Sequence, residues 1–142
     1  FITYARCKLP GVMLESDVVL SDRYAIGKMA LAVMDTGARG SFAEIAVKKM
    51  ISAGEIPAPR VTFLLDIDPA VARQRILARG EKLEPKEELD KLVVMSKVLK
   101  ELSGECAGIV YIDASRPIDD VALEISEKIT LEMDLCKGIS HS

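Results

Sequence analysis

The residues best suited to do chemistry are Asp22 and Arg23, which follow the apolar run Val18-Val19-Leu20-Ser21 and precede Tyr24. A carboxylate beside a guanidinium suits work on phosphates. The acid can manage a Mg²⁺ ion. The planar fork of arginine grips a phosphate with two parallel hydrogen bonds, which lysine cannot do. The plainer reading is a strand end that carries a surface ion pair. Further cations stand at Arg6 and Lys8, ahead of the pair, and at Arg73, Arg75 and Arg79, well after it. The later cluster reads either as a solvated helix face or as a phosphate clamp. Arg6, taken alone, reads as a solvated helix residue.

The elements that would position these groups follow from pattern and punctuation. Residues 18–21 read as a short strand buried on both faces, as in a parallel sheet, and ligands collect beyond the carboxyl ends of such strands. Further strands are expected over 61–67 and 108–113. A helix over 1–9 is broken by Pro10-Gly11, and another runs over 24–34. Ser41 is an N-cap with Glu44 as its capping-box partner. The helix it opens buries Phe42, Ile45, Ala46, Met50 and Ile51 and ends at Gly54. Pro57 and Pro59 force an extended entry to the next strand.

Asp68-Pro69 is a specific helix start, and its helix buries Val71, Ile76 and Leu77 and closes at Gly80. Residues 81–88 are charged, contain Pro85 and read as a mobile loop. Leu89, Leu92, Val93, Ser96, Leu99 and Leu102 then form one apolar stripe up to Gly104. After the last strand, Ala114-Ser115-Arg116-Pro117 turns the chain into a helix from 118 to about 133. The tail, 138–142, is expected to be disordered. The order predicts an α/β fold, a parallel sheet with helices on both faces, in a single domain over 1–137.

Composition narrows the function classes. The chain has 142 residues, 49% hydrophobic and 29% charged, enough to bury a real core and too apolar for disorder. A net charge of −3 argues against a dedicated nucleic-acid binder. The absence of Trp removes the usual stacking platforms for single strands. No apolar run approaches the roughly 20 residues of a membrane span, so a soluble protein without a membrane partner is expected. Cys7, Cys106 and Cys136 form no CxxC pair and read as buried or incidental thiols in a reducing cytosol, which predicts a cytoplasmic location. The single histidine, His141, lies beside the C-terminus, which argues against histidine-based catalysis and His-rich metal sites.

Three stretches in order resemble the thymidylate kinases of the P-loop nucleoside-monophosphate kinase group. They are VVLSDRY (18–24), PAPRVTFLLDIDPAVARQRILARG (57–80) and IDASRPIDDV (112–121), with FITYAR (1–6) similar to the segment that precedes the Asp-Arg-Tyr strand in that family. The resemblance implies a P-loop nucleotide-kinase-like fold and transfer of the γ-phosphoryl of ATP to a nucleoside monophosphate, dTMP above all, with Mg²⁺. It assigns Arg23 to the phosphate of the acceptor and Asp22 to the ion through its water shell. Arg6 would reach the acceptor base, with Tyr24 and Gly27 beside it. Arg75, Arg79 and Lys82 would serve ATP at a closing lid, with Arg79 among the catalytic groups. Ala114 and Ser115 would pack beside the adenine. Partners are then nucleotides, and the resemblance allows a homodimer.

The chain also departs from the family pattern. It contains no GxxxxGK[ST], it has Ile2 where the family stacks an aromatic on thymine, and Gly27 and Ala30-Leu31-Ala32 replace an Ala-Tyr-Gln type segment. In the lid, Lys82 is the nearest cation to an absent Asp-Arg pair. The missing motif and the start at Phe1 lead to the expectation of an N-terminal βα portion outside this chain, roughly 50–80 residues long. Two alternatives stay open: a non-catalytic nucleotide-binding or regulatory relative, and a P-loop kinase for another small phosphorylated acceptor.

Overall fold

The computed structural model describes residues 2–80 and 84–139, with side chains to residue 135. The chain divides into two compact units, Phe1–Arg60 with Val93–Gly108, and Val61–Leu92 with Ile109–Ser142.

The first unit is helical. Helix α1 spans Ile2–Cys7 and α2 spans Leu9–Leu14. The expected break falls at Lys8, but Pro10-Gly11 lies inside α2 and does not begin a loop. Pro10 occupies the first turn, where its missing N–H would have had no helical partner anyway. Helix α3, Ala25–Thr36, ends on Gly37 in the left-handed conformation (φ 69°), which costs glycine nothing. Its Ala25, Met29, Ala30 and Val33 face the core at helical spacing.

Helix α4, Phe42–Ser52, begins as expected, with the Ser41 side chain accepting from the Glu44 N–H. Its buried face is rotated from the expected one. Phe42 and Ile45 are exposed, and Glu44 and Val47 point inward. Val47 joins Ala5, Ile56 and the α3 stripe, with Val98 and Leu102 from the later part of α6, Leu89–Ser103. Each large side chain fully buried here, such as Met29 or Leu102, contributes about 1.5–3 kcal/mol. In α6 the stripe is likewise shifted: Leu89 and Val93 are exposed, and Val98, Leu102 and Ser103 are buried.

The expected strand at 18–21 does not form. Those residues are irregular, and Leu20 is 74% exposed. A strand exists only as hydrogen-bonded pairing, and among the described residues none lies beside it. Among the described residues the sheet therefore has two strands and not the three expected.

The second unit holds that sheet, in which β1, Thr62–Asp66, pairs parallel with β2, Ile109–Asp113, Asp66 opposite Asp113. Between them come α5, Pro69–Ala78, a 3₁₀ turn, Pro85–Glu87, and the start of α6. The parallel pair with helices is consistent with an α/β nucleotide-kinase-like fold. In α5, Val71 and Ile76 are half-buried and Leu77 is exposed, so the expected stripe is narrower. A helix that makes a narrow contact depends on its ends.

Asp68 caps α5 by accepting from the Ala70 N–H at 2.7 Å, with Pro69 in the first turn. Asp68→Ala is expected to cost about 1 kcal/mol, read as a lower urea midpoint at unchanged slope, while Asp68→Asn retains most of the stability. A midpoint unmoved by the alanine would mean the cap is idle. Helix α7 runs Ile118–Ile139, past the expected end near 133 and into the first residues of the expected tail. Residues 140–142, His141 among them, lie outside the described residues.

Candidate functional site

Asp22 and Arg23 form an exposed turn that leads into α3, with Tyr24 as its N-cap residue. Arg23 has φ 55°, and among the described residues it alone of the non-glycines has positive φ. For a residue with a Cβ this conformation costs roughly 1–2 kcal/mol. The Arg23 and Asp22 side chains are 74% and 93% exposed, and Arg23 Nε lies 3.9 Å from Asp22 Oδ2. An exposed pair that loose contributes little and does not offset the strain. Strain of this kind clusters at functional sites, where surrounding structure holds it.

Tyr24 anchors the turn from behind. Its hydroxyl donates to the Pro57 carbonyl at 2.9 Å, its ring packs on the core, and burial pushes its pKa up. Gly27 lies one turn into α3, where an added Cβ would meet Arg23 Cβ at an ordinary 3.8 Å. Arg6, in the last turn of α1, pairs with Glu55 at 3.3 Å with both side chains about half exposed.

In the second unit the structure brings three of the expected residues together. Arg75 Nη1 donates to the Ala114 carbonyl at 2.6 Å and Nη2 to the Ser115 carbonyl at 2.9 Å. Both acceptors belong to the turn after β2. Ser115 donates to Asp113 Oδ1 through its N–H and its hydroxyl, and chiefly the hydroxyl bond holds the Asp113 carboxyl below its usual range. Arg79 is the exposed C-cap residue of α5. Lys82, expected in the lid, lies outside the described residues.

Glu44 was legible in sequence only as a capping-box partner. Its side chain is 3% exposed. It accepts from Arg39 Nη2 at 2.9 Å, Lys48 Nζ at 2.8 Å and the Gly40 N–H at 2.8 Å. Glu105 takes Arg39 and Lys48 from the other side, each at 2.6 Å. Hydrogen bonds from Arg39 first and Lys48 second hold the Glu44 pKa down to about 2. The Arg39-x₄-Glu44-x₃-Lys48 spacing was the available signal. The network fixes the loop between α3 and α4.

Cys7 and Cys106 are free thiols, and burial raises that of Cys106. Among the described residues no group of three His, Cys, Asp or Glu side chains could hold a metal ion. A Mg²⁺ ion needs less than such a cage, because it keeps several waters and takes one or two carboxylates together with substrate phosphates. The exposed Asp22 carboxylate fits that requirement as a water-mediated partner. No helix among the described residues is long and apolar enough to cross a membrane.

A sequence profile of thymidylate kinase matches residues 7–125. Probable thymidylate kinases are similar to this chain. That of Archaeoglobus fulgidus is 34% identical over 120 residues, covering 84% of this chain and 57% of the relative. That of Pyrobaculum aerophilum is 34% identical over 119 residues (81% and 55%), and that of Methanococcoides burtonii 33% over 117 (82% and 57%). The chain thus spans little more than half the length of these curated relatives. No solved structure matches it.

Proposed function

Since the chain belongs to the thymidylate kinase family, we propose that the protein it forms transfers the γ-phosphoryl group of ATP to dTMP, giving dTDP and ADP. The observation that carries the reading is the left-handed Arg23 beside Asp22, within the matched residues. An acceptor phosphate oxygen attacks the γ-phosphorus, and the bond from that phosphorus to the β–γ bridging oxygen breaks. Such a reaction asks the protein for placement and charge neutralisation, with little covalent work.

Arg23 presents its guanidinium to the acceptor phosphate, oriented by the strained turn and by the Tyr24 anchor behind it. Arg6 lies toward the acceptor base, and Gly27 keeps the floor of α3 clear of a side chain. Arg79 and Lys82 serve the ATP phosphates, and Arg75 serves the ATP side through the Ala114–Ser115 turn, which borders the adenine. Asp22 would hold Mg²⁺ through its water shell, and the ion would neutralise charge on the phosphate oxygens. These roles are carried over from the family's motif onto matching positions.

Ile2, in place of the family's stacking aromatic, favours a second reading in which the acceptor carries another base. A coupled assay with Mg-ATP against dTMP, dUMP, UMP, CMP and AMP tests both, using the full native polypeptide. Turnover of dTMP well above the rest is expected. Preference for another nucleotide supports the second reading. Binding without any turnover would leave a nucleotide-binding module and overturn the enzyme.

A further inference from the structure

The turn after β2 consumes its own polar groups. The Ala114 N–H donates to the Asp66 carbonyl at 2.8 Å, and the Ser115 N–H and hydroxyl both go to Asp113 Oδ1. Arg116 Nε donates to the Asp113 carbonyl at 3.2 Å, and its Nη2 pairs with Glu124. The carbonyls of Ala114 and Ser115 remain, and a single side chain takes both: Arg75, from α5. With Nη1 and Nη2 each bound to a backbone oxygen, that edge of the guanidinium is committed to the protein. The same edge cannot clasp a phosphate.

We infer that Arg75 is a positioning residue, which locks the 113–116 turn into a preorganised seat for the donor base through the two carbonyls and does not touch the donor's phosphates. The inference rests on the kinase reading above. A turn already fixed pays no ordering entropy when a ligand settles on it. Without Arg75 the carbonyls turn to water, the turn gains alternative conformations, and donor binding bears the loss. The chemical step, carried out at the phosphates, is spared. A group that touched the phosphates would show the opposite division, because its interaction would strengthen in the transition state.

The test compares Arg75→Ala and Arg75→Lys in the full native polypeptide by two readouts. In steady-state kinetics, Arg75→Ala is expected to raise the KM for ATP about tenfold, with the acceptor KM and kcat held within about twofold. Lysine, able to donate to both carbonyls, restores part of the loss. In amide hydrogen exchange without nucleotide, Ser115 and Arg116 are expected to exchange faster in the alanine variant than in the wild type. A kcat reduced by orders of magnitude at unchanged KM for ATP overturns the inference and makes Arg75 a phosphate contact. Unchanged exchange at Ser115 overturns it as well. If the wild type turns over no acceptor, the kinase reading fails and the exchange data decide the clamp by themselves: faster exchange in Arg75→Ala upholds it, unchanged exchange removes it.

Discussion

Replacing Arg23 by glycine is expected to make the protein slightly more stable and nearly inactive. The two effects have separate origins. The backbone at Arg23 sits at φ 55°, which glycine adopts freely and arginine does not. Relief of the strain favours the folded state by up to roughly 1–2 kcal/mol, less the entropy that glycine adds to the unfolded chain. What the arginine returns to the fold is small, since its contact with Asp22 is a 3.9 Å pair between two exposed side chains. On the proposed kinase reading, that strain is held for what Arg23 does to the acceptor phosphate. Removal of one preorganised charge contact to the reacting groups costs about 10²–10³ in kcat, and that is the expected loss in both Arg23→Gly and Arg23→Ala. Thermal melts and turnover on the same preparations check the pair of outcomes. Near-normal turnover in Arg23→Gly would mean the guanidinium only decorates the turn.

Such a conformation could not be read from residue types. Left-handed positions are expected at Gly, Asn or Asp, and nothing in Ser21-Asp22-Arg23-Tyr24 marks arginine as the residue that occupies one. The neighbouring strand shows a different limit. Residues 18–21 have the composition of a buried strand, but a strand is a relation between two segments, and composition describes one. Where both partners lie within the described residues, as in β1 and β2, the apolar runs and the punctuation at Asp68-Pro69 and Ala114–Pro117 placed both strands within a residue or two. In α4, periodicity put Phe42 and Ile45 inside because it treats a glutamate as an outward residue. Glu44 goes inward because Arg39, Lys48 and the Gly40 N–H meet it there, two of them from outside the stretch that defines the period. Arg75 was visible as a cation near the expected donor site. That its fork is taken by two carbonyls from a turn far along the chain is tertiary information.

The burial of Glu44 makes Glu44→Gln a strongly destabilising substitution. The carboxylate accepts hydrogen bonds from three residues, two of them cations, and its side chain is 3% exposed. Glutamine keeps the shape, but it turns an amide nitrogen toward donors and leaves Lys48 with Glu105 and Arg39 with Glu105 and Glu101, carboxylates that are each about half exposed. Breaking a buried charge cluster from one side costs about 3–5 kcal/mol, a large part of the roughly 5–15 kcal/mol that holds a domain together. The network also sets an acid limit. Glu44 has its folded pKa depressed to about 2 from an ordinary 4.5. Its contribution is therefore complete above pH 4.5 and drains away as the pH falls through the folded value, a loss on the order of 3 kcal/mol. Glutamine cannot take up that proton, so urea midpoints of Glu44→Gln should start lower at neutral pH and fall less steeply between pH 4.5 and 2 than those of the wild type. Two parallel acid limbs would show that the proton taken up on acid unfolding goes elsewhere, with Asp113, whose pKa is also depressed, the next group to replace.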